Sequence, residues 1–293
     1  GTLVAKTGLN VTTTAFPAPF GFPPAIVTTA STSQRLSRDF NSITPQAALA
    51  YHITPDVLAY FSFAGGYKAG GFNGASPAGS ETFDEEYSWN YEVGVKGRAF
   101  EDSLSFSLAA FYTDWQNLQL NVPNGGPATF HIANAGDATT KGIELALAWR
   151  PVKQWDIYGS AGWQDARFNA GSLDGGVNVG GRQVPFTPDY TTSLGTQYTW
   201  ELPRGFNVYA RAEVQFIGSY NYDTINGAAQ DAYTLANFRL GVRQNNWFLE
   251  GFMNNAFDTE YVPMAIQFPG SPSGYIGENG APMTFGVRAG IKF

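Results

Sequence analysis

The sequence holds no cysteine and only two histidines, and charged residues occupy just 14% of its 293 positions. That is about half the share of an ordinary soluble domain. Without cysteine there is no disulfide framework, no CxxC zinc site and no thiol nucleophile. Basic residues number 17 against 24 acidic ones, a net charge of −7, so no basic stripe is available for nucleic acid. No apolar run reaches the ~18 residues that a membrane-crossing helix needs. The opening stretch, Gly1–Asn10, lacks the charged and apolar regions of a secretory leader, as expected of the mature or truncated form of an exported chain. Glycine (34) and the aromatics (23 Phe, 15 Tyr, 7 Trp) are abundant instead. A disordered chain has few aromatics and high charge. What remains is an all-β protein, in water or in a membrane.

From about Thr44 onward the chain repeats one device, a run of alternating residues followed by punctuation that is short and long in turn. The short breaks are Thr54–Asp56, Glu101–Ser103, Pro151–Gln154, Leu202–Gly205 and Asn245–Asn246. The long ones lie near 70–86, 121–137, 169–188, 221–231 and 258–280. Eleven strands are predicted, near 44–53, 57–69, 88–100, 104–118, 138–150, 155–168, 189–200, 206–220, 232–243, 247–257 and 281–293. Soluble strands average ~5–6 residues, whereas a strand crossing a bilayer obliquely needs ~9–11. Outer-membrane barrels have short turns at one end and long loops at the other. Eleven is an odd count, so either a twelfth strand hides in 1–40 or part of a larger barrel is absent. Pro17, Pro19, Pro23 and Pro24 interrupt that segment. Residues 1–40 therefore read as a long loop or the remnant of an earlier barrel hairpin, and 41–293 as the barrel portion.

The two faces of each run separate membrane from water. In Phe206–Tyr220 one face holds Phe206, Val208, Ala210, Ala212, Val214 and Phe216, and the other Asn207, Tyr209, Arg211, Glu213 and Gln215. Successive strand residues point to opposite faces, so all the charge lies on one side. A packed soluble core would not accept it, because unpaired buried charge is costly. On the apolar face, Trp89, Trp149, Trp155, Trp163, Trp200 and Trp247 stand toward the ends of runs as an aromatic girdle. Trp155 to Trp163, eight residues at ~3.3 Å tilted by ~40°, spans about 20 Å, close to the apolar band of a barrel. The fold class is a transmembrane antiparallel β-barrel.

Several motifs then resemble one family in its own order. They are Tyr60–Asn73 (YFSFAGGYKAGGFN), Trp89–Lys96 (WNYEVGVK), Asn134–Glu144 (NAGDATTKGIE), Asn254–Tyr261 (NNAFDTEY) and the closing Thr284–Phe293 (TFGVRAGIKF). Together, from about Asp39 to Phe293, they resemble the C-terminal half of the 22-stranded barrel of TonB-dependent outer-membrane receptors. Neither that family's plug domain nor its TonB-engaging segment precedes Asp39. The resemblance implies a bacterial outer-membrane location and uptake of a scarce large solute such as a ferric siderophore, using TonB-transmitted energy. The expected partners are the TonB complex through an N-terminal region, outer-membrane lipid, the barrel assembly machinery at the last strand with Phe293 as its signal, and the solute. No cofactor is expected. A passive pore or surface-binding barrel without TonB coupling is the alternative.

Within that frame Glu92, Lys96, Arg98, Glu144, Arg211, Glu213, Arg239, Arg243, Glu250 and Arg288 face the lumen, as salt-bridge ladders or as contacts to plug or ligand. Phe72, Phe83, Phe130, Tyr222, Phe268 and Tyr275 lie in the long loops, where they either stack on a ligand or pack the loops together. Catalysis is not expected. His52 falls at a short-turn end, and His131, with Asp137 nearby, has no serine placed to act as nucleophile. Asp84-Glu85-Glu86 is read as a solvated charge run in preference to a calcium site.

Overall fold

The structure is a computed structural model that describes residues 2–6, 35–74, 76, 79–123, 130–268 and 270–292. Its body is one antiparallel sheet of eleven strands in sequential order. They are β1 (Gln46–Thr54), β2 (Val57–Lys68), β3 (Glu86–Ala99), β4 (Leu104–Gln116), β5 (Ala138–Val152) and β6 (Trp155–Phe168). β7 (Tyr190–Leu202), β8 (Phe206–Ile217), β9 (Tyr233–Gln244), β10 (Trp247–Asn254) and β11 (Thr284–Ile291) complete it. All eleven predicted strands are present. Among the described residues the outer edges of β1 and β11 carry no partner strand.

Alternation produces this sheet directly. β-Branched and aromatic residues on one face pack against lipid or neighbours, while the backbone groups between adjacent strands satisfy one another, as a bilayer demands. Leu49, Phe61, Val93, Leu108, Ile143, Leu147, Leu194, Leu240 and Val287 are all exposed on the apolar face. So large an apolar surface marks a membrane-facing wall. The five short turns gather at one end, and residues such as Arg204 (φ 65°), Gly205 (φ 77°) and Asn245 (φ 48°) take the left-handed conformation there.

The long connections leave from the other end, and each folds into a small hairpin instead of an irregular loop. Gly71–Phe72 pairs with Thr82–Phe83, Gln119–Pro123 with Phe130–Asn134, and Leu173–Asp174 with Val177–Asn178. Tyr220–Asn221 pairs with Ala229–Gln230, and Met264–Gln267 with Tyr275–Glu278. These pairings run too short and too irregularly for alternation to have announced them. In segment 1–40, Thr2–Lys6 pairs antiparallel with Arg35–Asp39 as a separate two-stranded sheet. The four prolines noted above, and Phe293, lie outside the described residues.

Candidate functional site: the polar wall and the loop arc

The polar face is built on a device that alternation alone does not reveal. Tyr209 of β8, Gly241 of β9 and Glu250 of β10 stand directly opposite one another in register. The tyrosine ring lies flat across the glycine, where an added Cβ would come within 2.4 Å of it. Its hydroxyl donates to Glu250 Oε2 at 2.6 Å. The same arrangement recurs with Tyr158 over Gly195, donating to Glu213 Oε1 at 3.0 Å. Tyr60 lies over Gly94 and donates to Glu92 Oε1 at 2.7 Å. Aromatic rings laid over neighbouring glycines pin register and cover backbone that glycine leaves bare.

Guanidinium groups close this into a belt across β6–β11. Arg211 Nη2 lies 2.5 Å from Glu213 Oε1, and Arg239 Nη1 lies 3.5 Å from its other oxygen. Arg239 also reaches toward Glu250 at 4.0 Å, and Arg288 Nε lies 2.7 Å from Glu250 Oε1. The Arg243 guanidinium sits over the Tyr209 ring, 5.9 Å from its centre. Glu250 is only 3% exposed. A carboxylate that far from solvent is tolerable because a tyrosine and two arginines converge on it.

Of the other predicted inward charges, Lys96 sits over the Tyr60 ring at 5.4 Å. Arg98 bridges Asp56 and Asp102 at the turn end, 3.8 and 3.3 Å away. Glu144 borders a 340 Å³ hollow together with Glu92 and Tyr60. The structure therefore gathers Arg211, Glu213, Arg239, Arg243, Glu250 and Arg288 into one group and leaves Lys96, Arg98 and Glu144 elsewhere on the wall. Tyr60, Tyr158 and Tyr209 were not singled out from the sequence. Their partnership with a glycine one strand away becomes visible only once register is known.

Above the wall, five loops are joined into a continuous arc. Asn73 clasps Ile132, donating to its carbonyl at 2.8 Å and accepting from its N–H at 2.9 Å, which ties 69–85 to 117–137. Ser172 Oγ donates to the Asp137 carbonyl at 2.8 Å, adding 169–189. Asn221 Nδ2 donates to Gln183 Oε1 at 2.6 Å, adding 218–232. Tyr275 donates to Asp223 Oδ2 at 2.5 Å, adding 255–283. Burial and the Asp223 carboxylate push the Tyr275 hydroxyl up to about 12.

The six predicted loop aromatics fall into two separate groups along this arc. Phe72, Phe83 and Phe130 sit on the first two loops, with the Phe83 ring against Gly71. Tyr222, Phe268 and Tyr275 sit on the last two. Tyr222, 8% exposed, packs on Phe186 and Tyr220 inside the loops and donates to the Val262 carbonyl at 2.7 Å, so it props the arc from within. Asp84 and Glu85 pair with Arg38, at 2.5 and 3.5 Å, and Glu86 accepts the Gln119 N–H. Among the described residues, no three His, Cys, Asp or Glu side chains come together as a metal cluster.

On the apolar face Trp89 and Trp163 stand toward the loop end, and Trp149, Trp155, Trp200 and Trp247 toward the turn end. Trp89 stacks on Phe63 at 5.5 Å, and Trp200 packs on Tyr198 at 4.9 Å. A hollow of 1230 Å³ lies between Trp155, Tyr198, Phe238, Met253 and Phe285. Its lining comes chiefly from the apolar face of β6–β11, with Arg211 and Arg239 at its border.

The family model described as "TonB dependent receptor-like, beta-barrel" matches residues 14–256. The pesticin receptor of Yersinia pestis is 28% identical over 228 residues, 74% of this chain and 31% of that protein. The metal-pseudopaline receptor CntO of Pseudomonas aeruginosa is 25% identical over 253 residues, 83% of this chain and 33% of its own length. The chain thus spans about a third of the curated relatives it matches. The crystal structure of the ferric yersiniabactin uptake receptor FyuA from Yersinia pestis superposes with a TM-score of 0.78 at 24% identity, covering 89% of this chain and 39% of that one.

Proposed function

This chain belongs to the TonB-dependent receptor β-barrel family, and from that premise we propose that it forms the C-terminal wall and loop arc of an energised receptor for a ferric siderophore. Proteins of this family are receptors and transporters rather than enzymes, and the chain is a bacterial outer-membrane protein. The observation that carries the ligand reading is the hydrogen-bonded arc of five loops standing at one end of a charged wall. Loops tied to one another present a fixed surface, and functional residues concentrate on loops held by rigid scaffolds. Phe72, Phe83, Phe130, Phe268 and Tyr275 are the ring-bearing contacts on that surface. Relatives that carry the names of siderophore and metal-chelate receptors favour a ferric or other metal chelate as the solute.

In this reading TonB engages a region outside residues 1–293, and the inward charges hold the domain that fills the lumen. Lipid covers the tryptophan-bordered face, and the assembly machinery reads β11, the last described strand. The test is uptake of radiolabelled iron chelate by cells that carry or lack the full gene, with and without a protonophore. Accumulation that needs both the gene and the proton-motive force supports the reading. Accumulation that persists with the protonophore identifies a passive pore instead.

A further inference from the structure

The Tyr–Glu–Arg belt stops at an edge without being complete. Across β8–β11 it sets four guanidinium groups, Arg211, Arg239, Arg243 and Arg288, against two carboxylates, Glu213 and Glu250. Arg288 stands on β11, the last strand of the sheet, with its side chain 57% exposed. Its Nε lies 2.7 Å from Glu250 Oε1, and that carboxylate already serves Tyr209 and Arg239. Among the described residues Glu250 is the one acidic partner of Arg288, and more than half of the Arg288 side chain stays exposed.

We propose that the strand covering the free edge of β11 carries a lumen-facing carboxylate opposite Arg288, so that the belt continues across the seam. This inference rests on the receptor reading only in taking the sheet to be part of a closed wall. In an antiparallel pair, residues directly opposite share a face with Cβ atoms ~4.5–5.5 Å apart, and opposite charges there stabilise the pairing. An Asp or Glu at that position, or two residues along, meets the exposed guanidinium of Arg288.

Strand direction and charge both exclude a second copy of this chain as the covering unit. β11 pairs Thr284 with Asn254 and Ile291 with Trp247, so it runs toward the turn end. β1 pairs Gln46 with Ala64 and His52 with Leu58, so it also runs toward the turn end. Set beside β11, the β1 of another copy would lie parallel, in a sheet that is otherwise antiparallel throughout. That strand, QAALAYHIT, also contains no acidic residue. The covering unit is therefore a different one. It has an odd number of strands, both edge strands run from turn end to loop end, and one bears the carboxylate.

The test places a photoreactive benzoylphenylalanine at Val287, on the outward side of β11, in the full gene product in outer membranes. The cross-linked peptide is then identified by mass spectrometry. The expected peptide lies outside residues 46–54 and carries Asp or Glu at, or two residues from, the position opposite Arg288. In that case replacing the partner acid by Arg, which sets like charges across the seam and leaves the Arg288–Glu250 pair intact, abolishes the heat-resistant, fast-migrating form on a denaturing gel, whereas replacing it by Gln weakens that form only in part. A cross-linked peptide without an acid overturns the proposal and leaves the receptor reading standing. Cross-links to residues 46–54 of another copy overturn it as well. Adducts with lipid alone show an open edge and overturn both readings.

Discussion

The Tyr209 hydroxyl reaches the Glu250 carboxylate, 2.6 Å away and two strands over, because Gly241 between them has no side chain to block the ring. The residue that does least by itself thus sets the geometry of the wall. Gly241→Ala places a methyl group where only 2.4 Å separates it from the ring. Overpacking of this kind costs ~1–3 kcal/mol. Gly251→Ala has its nearest neighbour at 4.0 Å and is expected to be neutral. Urea unfolding in lipid vesicles measures both, and equal effects would contradict the ring-over-glycine arrangement.

Glu250 gives a second prediction. Removing one partner of a buried ion pair costs ~3–5 kcal/mol, and the low end applies here because Arg288 remains half exposed and solvates readily. Glu250→Gln is therefore expected to destabilise the sheet by about 3 kcal/mol, while Tyr209→Phe, losing one hydrogen bond, costs ~1 kcal/mol. Unfolding of the two single variants and the double variant, set out as a cycle, checks the ordering. A larger loss from the tyrosine would shift the weight of the belt away from its carboxylates.

How far the sequence alone reached is clearest in β8. Strict alternation put Val214 on one face and Gln215 on the other, and the register confirms it, with Val214 opposite Leu194 and Gln215 opposite Ser193. The period-2 signal is local, so strand number and face were legible. Tyr158, Gly195 and Glu213 form a unit only through the pairing of three strands, and no local signal announces that register. The loop arc was illegible for the same reason. The contact between Asn73 and Ile132 joins residues 59 apart in the chain, and nothing in either segment alone points to the other.

The face assignment itself carries a prediction. Val214→Arg sets a charge in the apolar band and costs ~2–4 kcal/mol near the midplane, whereas Gln215→Arg on the wetted side is mild. Folding yields and unfolding free energies in vesicles compare the two.

In the loops, Tyr275 is held protonated by burial and by Asp223, with its ionisation moved from the usual 10 to about 12. A raised folded value means that this contribution to loop stability is fully present below pH 10 and is lost as pH rises through about 12. Tyrosinate absorbance of the parent minus that of Tyr275→Phe should show one titration near pH 12. A difference titration near 10 would remove the Tyr275–Asp223 contact from the loop arc.

The most direct measurement is spin-label accessibility, residue by residue, from Phe206 to Ile217 in lipid vesicles, using oxygen and a polar nickel chelate as opposing probes. Phe206, Val208, Ala210, Ala212, Val214 and Phe216 are expected to favour oxygen, and Asn207, Tyr209, Arg211, Glu213 and Gln215 the chelate, with a period of two along the whole strand. A flat profile, or one in which both sets favour the chelate, would contradict a wall with lipid on one side and a wet lumen on the other.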